Sequence, residues 1–322
     1  MKRVLITGAG GKLGNHLAQK LSALGYQQIL MTSAVPENKL PGASYLYANW
    51  LDLKCQPLEN VDVVIHLAHQ TSAYIAKQNV ESDVATNLIS TIRILESLRS
   101  CTKPPDFIYM GSLTEYGTDC TNPINELHEP DKVETFYDCS KLAIELYLKQ
   151  YQHEGILGNL SLLRLGNLYG FVGNHQTPHR GFFDNAIYSA FLGLELTCFG
   201  NGEFLRDFIH VDDVTDAIIN IIENKSKRTN GKLNLASGVG YTLKDALSLI
   251  NLKLNYLNRN TVQISFKDFP ENSYEIERRN HVADISLLQE AIGWSPRVSL
   301  SDGIERSIRH YMDYDASTPL NH

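Results

Sequence analysis

Tyr137 and Lys141 lie four residues apart, with Asp138, Cys139 and Ser140 between them. On a helix, residues so spaced share one face, so the lysine ammonium can favour the phenolate against its ordinary pKa near ~10. A phenol tuned in this way exchanges protons at neutral pH. A second group stands far upstream, where the apolar residues Val4, Leu5 and Ile6 run into Gly8, Gly11 and Gly14. A strand feeding a glycine-rich turn that opens a helix lets backbone amides approach a pyrophosphate at the helix's positive end. Lys12 and Leu13 sit within that turn. The first gap is one residue longer than in the usual Gly-x-Gly-x-x-Gly spacing. The plain alternatives are a chance amphipathic pair for the first group and an ordinary strand-to-helix turn for the second.

A carboxylate is expected at the end of the second strand, about 20 residues on, where it would hold the adenosine ribose of NAD. The sequence there reads Ile29, Leu30, Met31, Thr32, Ser33, with no acidic residue. NADP is therefore admissible beside NAD, with Thr32, Ser33 or Lys12 as neighbours of the ribose. No arginine occupies the usual place, yet the reading leans to NADP.

The elements that must position these groups follow from the hydrophobic pattern. Strand-like runs at residues 4–6, 29–31, 61–67, 107–110 and 160–165 alternate with helical stretches at 13–24, 82–99 and 137–152. Near-continuous Val, Ile and Leu with crossover helices imply a parallel sheet covered on both faces, a doubly wound α/β fold. After Gly166 the pattern loosens into a turn-rich loop over 170–181, then a short helix near 183–192, a regular run at 204–211, a helix at 213–223 and a strand at 233–235. The remainder reads as smaller helices and irregular segments. The chain is expected to divide into a cofactor-binding domain, 1–168 plus about 207–236, and an interleaved, smaller substrate domain, 169–206 plus 237–322.

Composition bounds the partners. The 322 residues are 43% hydrophobic and 20% charged, with a formal net charge of -7 and no basic run, which argues against a nucleic-acid surface. Five scattered cysteines without Cys-x-x-Cys spacing fit a reduced cytoplasm, and no apolar stretch approaches the ~18 residues of a membrane span. His66 with His69 and His175 with His179 raise the question of a metal, but the first pair lies at a strand end and the second in a loop without neighbouring Cys or Asp ligands, so no metal is expected. Cys139 is expected to be a packing residue.

With these motifs placed, the sequence resembles the extended short-chain dehydrogenase/reductase family, in its group of nucleotide-sugar epimerases, dehydratases and ketoreductases. Residues 4–309 carry the resemblance. It implies a Rossmann cofactor domain in which Asp52 and Leu53 contact the adenine and the end of the strand at Leu67 and Ala68 passes under the cofactor. Asn87 matches the asparagine that braces the active-site helix, and Ser112 falls on the catalytic hydroxyl. Lys141 would hold the nicotinamide ribose and lower the Tyr137 pKa. Asn167 matches a residue contacting the substrate diphosphate, Arg206 a phosphate clamp, and Arg278 or Arg279 a second clamp. The plain readings are a helix cap or polar core residue for Asn87, a turn residue for Asn167, and a surface cation paired with Asp207 for Arg206.

In the dehydratases of this group the two residues after the catalytic hydroxyl are Asp and Glu. Here they are Leu113 and Thr114, with Glu115 one place late, which argues against dehydration. The resemblance thus implies hydride transfer at a nucleotide-sugar carbon, C4 first, with net 4-keto reduction favoured over 4-epimerisation on tightly held NAD. A reductase of small lipophilic ketones and a cofactor-sensing module are the competing classes. A homodimer packing residues 82–99 and 137–152 against their symmetry mates is also expected.

Overall fold

Short runs of Val, Ile and Leu leave no polar face to turn to water, so they pair edge to edge and are covered on both sides. In the computed structural model, which describes residues 2–34, 39–54, 58–170, 181–224 and 229–317, six such strands come in succession. They are β1 (Arg3–Thr7), β2 (Gln27–Thr32), β3 (Ala43–Tyr47), β4 (Val63–His66), β5 (Asp106–Ser112) and β6 (Leu160–Leu165). The chain then leaves the sheet for β7 (Asn167–Tyr169), β8 (Leu196–Phe199) and β9 (Leu205–His210), and returns with β10 (Gly231–Leu235) to the β6 edge. The order is β3-β2-β1-β4-β5-β6-β10, with every neighbouring pair parallel. Strand order reverses between β1 and β4, and ligands of such sheets bind at the carboxyl ends of the strands at that point.

Alternate residues of β1 go to opposite faces. Val4 and Ile6 join Leu13, Leu17 and Leu21 of α1 (Lys12–Ala23), while Leu5 joins Val64 and Phe107 beneath Ile144 and Leu148. The first face also carries α7 (Val211–Glu223), and the second carries α4 (Ser90–Ser97) and α5 (Phe136–His153). Helix α5 is opened by Thr135, whose hydroxyl accepts from the Asp138 amide at 3.0 Å. Its buried positions, Asp138, Lys141, Ile144, Glu145 and Leu148, form one stripe, which is why Lys141 points inward.

The helix expected over 82–99 is interrupted. It runs as α3 (Val80–Val84), following α2 (Ala73–Gln78), then a π-helical turn over Ala85–Ile89, then α4. The wide turn lets Asn87 reach inward, fully buried. The edge strand β3, half exposed along its length, was not expected.

The strand expected near 204–211 is β9, but it pairs with β7 and with β11 (Gly240–Thr242) in a three-stranded sheet rather than joining the large one. A further parallel pair joins β8 to β12 (Ile264–Lys267). The last third is also more regular than expected. Beside α6 (Phe182–Phe191) and α9 (Ser286–Ile292) it holds two long helices, α8 (Leu243–Tyr256) and α10 (Leu300–Ser317). Leu247, Ile250, Leu254, Leu300, Ile304, Ile308 and Tyr311 of these helices bury a second apolar cluster with Phe183, Ile187 and Phe191. Among the described residues no helix is long and apolar enough to cross a membrane.

Candidate active site

At the switch point, Gly8 adopts φ +70, and a Cβ there would lie 2.8 Å from the Ala68 amide nitrogen. A Cβ on Gly14 would lie 2.3 Å from the Gly8 carbonyl oxygen. The turn is thus a backbone cradle that side chains would fill, and it ends at Gly11, the N-cap of α1, with no acidic residue in the first helical turn. That arrangement suits a pyrophosphate, as the glycine spacing predicts. Thr7 holds the cradle against β4: its hydroxyl meets His66 Nδ1 at 2.7 Å and accepts from the Leu67 and Ala68 amides at 3.2 Å each. His66 Nε2 meets the Thr91 hydroxyl at 2.8 Å, and burial pushes His66 down to about 3, so it is a neutral structural residue. His175 and His179 lie outside the described residues.

Thr32 and Ser33 close β2, with no carboxylate beside them in the sequence. The Thr32 hydroxyl is buried and donates to the Ala34 carbonyl at 3.0 Å. Leu53 lines a cavity of about 270 Å³ with Met31, Leu46, Tyr47 and Ile94, at the carboxyl ends of β2 and β3 where an adenine would lie. The Asp52 side chain lies outside the described residues. Lys12 turns away from this end: it forms an ion pair with Asp184 of α6, and burial lowers its pKa.

The proton-handling residues do come together at the end of β5. The Lys141 ammonium donates to the Met110 carbonyl at 2.6 Å and lies 5.7 Å from the centre of the Tyr137 ring. Ser112 pulls the phenol's pKa down. One expectation is overturned. The Tyr137 phenol is pushed well above its usual value, not below it, because burial and the carboxylates of Asp138, Glu115 and Asp83 all oppose a phenolate. Lys141 is itself lowered by burial, against the pull of Glu115 and Asp138, and one of its three N–H donors is engaged by a carbonyl. Cys139 is exposed rather than packed.

Asn87 braces this centre indirectly. Its amide donates to Asp83 Oδ1 at 2.9 Å and accepts from the Gln70 amide at 2.8 Å, and Asp83 Oδ2 accepts from the Ser140 hydroxyl of α5 at 2.7 Å. Its side chain is spent on these contacts, so it positions α5 and the loop after β4. Glu115 faces inward, accepting from the Ser112 amide at 2.6 Å. Burial and Glu145 push Glu115 well above the carboxylate range; against burial, hydrogen bonds from Arg164 hold Glu145 below its own. Both carboxyls face the single Arg164 guanidinium under β5, Glu145 at 3.0 Å and Glu115 at 3.6 Å.

Beyond the trio opens a cavity of about 260 Å³ whose walls include Asn167, Arg206, Phe208, Phe269, Glu277 and Arg279. Arg206 is 4% exposed and is not paired with Asp207 at the surface. It donates to the carbonyls of Leu205 at 3.0 Å, Arg279 at 2.5 Å and Glu277 at 2.6 Å. Asp207, on the opposite face of β9, accepts from the amides of Ser237, Gly238 and Ala283. Arg279 donates to Asn167 Oδ1 at 3.3 Å, so of the two candidate clamps it is the one in the cavity. Arg278 instead stacks over the Phe269 ring at 4.3 Å, at the rim. Burial lowers both Arg206 and Arg279, and each also feels the other or a nearby acid.

Residues 4–236 match the NAD dependent epimerase/dehydratase family. The chain belongs to that family. Among similar proteins, the CDP-paratose 2-epimerase of Salmonella typhi is 26% identical over 94% of this chain and 97% of its own length. UDP-glucuronate 4-epimerase 6 of Arabidopsis thaliana is 25% identical over 98% of this chain and 73% of its own. The crystal structure of UDP-glucose 4-epimerase from Thermotoga maritima with UDP-glucose superposes with a TM-score of 0.81 at 26% identity, covering 97% of this chain and 99% of that one. The protein is therefore an NAD-dependent enzyme with the α/β architecture of this family.

Several residues of this family member escaped the sequence reading. Thr7, Asp83, Thr114, Asp138 and Asp207 are all engaged at the site through hydrogen bonds. Asp83, Thr114 and Asp138 stand among other polar residues, so nothing in their neighbours marks them as buried.

Proposed function

We propose that the enzyme is a nucleotide-sugar 4-epimerase. One observation carries this reading: two buried guanidiniums, Arg206 and Arg279, share one cavity with Asn167 in a molecule that assembles Ser112, Tyr137 and Lys141 beside a dinucleotide cradle. Two desolvated cations with one carboxylate, Glu277, at the edge of reach of Arg279 leave a net positive cavity, and a diphosphate fits bidentate guanidinium geometry. Phe182, Phe199 and Phe269 offer aromatic faces at the same cavity for a nucleotide base. A lipophilic ketone has no use for such clamps.

The glycine cradle, Leu53 and Lys141 would hold NAD, which when bound would supply hydride acceptance and return at the sugar carbon. Tyr137 takes the hydroxyl proton from the reacting oxygen and gives it back, and Ser112 hydrogen-bonds that same oxygen. Leu113 is buried and Thr114 is engaged with Ser112, so no acid–base pair follows the catalytic hydroxyl, which supports the absence of dehydration. The similar proteins named 4-epimerases and the family's NAD dependence favour this over the net reduction and the NADP suggested by the missing ribose carboxylate. Net reduction stays as the second reading on that observation alone. Extraction of cofactor from purified enzyme, followed by assay on UDP- and CDP-sugars, tests both. Retained NAD with product interconversion supports the epimerase, and stoichiometric NADPH consumption overturns it.

We infer the two-unit division at 1–168 plus 207–236 and 169–206 plus 237–322, which the separate apolar cluster of α6, α8 and α10 supports. A homodimer through α4 and α5 is supported by exposed Ile89, Leu146 and Tyr147, and sedimentation at micromolar concentration tests it.

A further inference from the structure

The turn that follows β5 carries a buried acid with no part in the proton and hydride transfers. Glu115 is fully buried, and its Oε1 accepts from the Ser112 amide at 2.6 Å. The Ser112 hydroxyl in return accepts from the Thr114 amide at 3.2 Å. Ser112 thus caps the 3-10 turn Leu113–Tyr116 and is itself held by the Glu115 of that turn. Room for the carboxyl comes from Gly111: a Cβ there would lie 2.6 Å from Glu115 Oε1, and Gly111 has no left-handed backbone to account for a glycine. The far side of the carboxyl is served less well. Oε2 stays 3.6 Å from Arg164 Nε, beyond hydrogen-bond reach, while Arg164 gives Nε and Nη2 to Glu145 at 3.1 and 3.0 Å. Burying an acid is costly, and the short contact obtained in return goes to the residue that matches the catalytic hydroxyl.

We propose that Glu115 is a positioning residue: from the space that Gly111 leaves open it fixes the backbone at Ser112, and with it the direction of the Ser112 hydroxyl toward the reacting oxygen. The Ser112 N–H is held by Glu115, and its Oγ by the amide and the hydroxyl of Thr114, the latter at 2.8 Å. A Ser112 side chain that turned away would give up both Thr114 contacts. A hydroxyl held in this way is set before the sugar arrives, which is where preorganised contacts gain rate. The role needs an acceptor oxygen at Glu115 and does not need a charge.

This inference rests on Ser112 meeting the reacting oxygen in the proposed reaction, and the test separates the two. In the purified holoenzyme, E115V is expected to lower kcat about tenfold or more, with KM and bound NAD within about twofold of wild type. E115Q, which keeps an oxygen for the amide, is expected to recover most of that loss. Because Glu115 acts through Ser112, S112A with E115V together should turn over no more slowly than S112A alone. G111A, whose Cβ displaces the carboxyl, should lower kcat as E115V does and add nothing to E115V, and it carries the same test should E115V not fold. A readout without sugar is hydrogen exchange of the Ser112 amide, expected to be slow in wild type and E115Q and about tenfold faster or more in E115V. Wild-type kcat in E115V, a loss in E115Q equal to that in E115V, or additive losses with S112A would overturn the assignment. A wild type inactive on every nucleotide sugar would overturn the substrate reading and leave the amide to decide this one, with unchanged exchange in E115V counting against it.

Discussion

At the ends of β1 and β4, the groove is shaped by backbone meeting backbone: Gly14 against Gly8 within one turn, and Gly8 against Ala68 at the end of the neighbouring strand. At the other end, the cavity is shaped by side chains from distant segments, with Arg206 of β9 bound to the carbonyls of Glu277 and Arg279 more than seventy residues on. The first end tolerates almost no added atom, because carbonyls and amides cannot be moved without moving the sheet. The second is held by charge-assisted hydrogen bonds, where one side chain can be exchanged and the rest keep their places. A cofactor common to a family and a substrate that varies within it fit these two modes of construction.

The largest effect is expected from Gly14→Ala, whose Cβ would meet only backbone atoms. It should lose bound NAD and cost roughly 3 kcal/mol of stability, read by cofactor content and thermal melting. Normal cofactor content in this variant would break the comparison. Arg279→Met should leave cofactor content unchanged and raise KM for the nucleotide sugar about 10- to 100-fold, the equivalent of about 1.5–3 kcal/mol, in steady-state kinetics.

Acid should loosen both ends. Burial lowers His66 to about 3, and burial with Arg279 lowers His281 to about 3. The unfolded chain therefore binds protons that the folded one refuses, so stability is full above about pH 6.5 and falls as pH drops toward about 3, by about 2 kcal/mol per histidine at pH 5. Denaturant melts at pH 7 and 5 check this. In Arg279→Met the loss should shrink, because a cation holding His281 down is gone. The smallest effect is expected from Arg278→Ala, whose guanidinium sits at the rim: KM should change less than about threefold.

The sequence made the first end legible because its determinants are local. A strand, a turn of glycines and a helix lie within some twenty residues, and each obeys a short-range rule. The same holds for Tyr137 and Lys141, which one helix places on neighbouring positions. Arg206 and Arg279 were legible only through resemblance, and the choice of Arg279 over Arg278 was not legible at all. Two adjacent residues of a 3-10 turn point in different directions, and nothing in their neighbours says which one meets Asn167. Helix α10 was missed although Leu300, Ile304, Ile308 and Tyr311 recur at helical spacing, because its other residues are polar and dilute the apolar signal.

By itself, the sequence determined the parallel sheet, the glycine cradle and the placing of Tyr137 and Lys141 on one helix face, since apolar periodicity and short spacings are properties of contiguous residues. Only the tertiary structure decided what surrounds the Tyr137 phenol. The carboxylates of Asp138, Glu115 and Asp83 come from three separate segments, and with burial they turn a phenol expected to be acidic into one pushed well above its usual value.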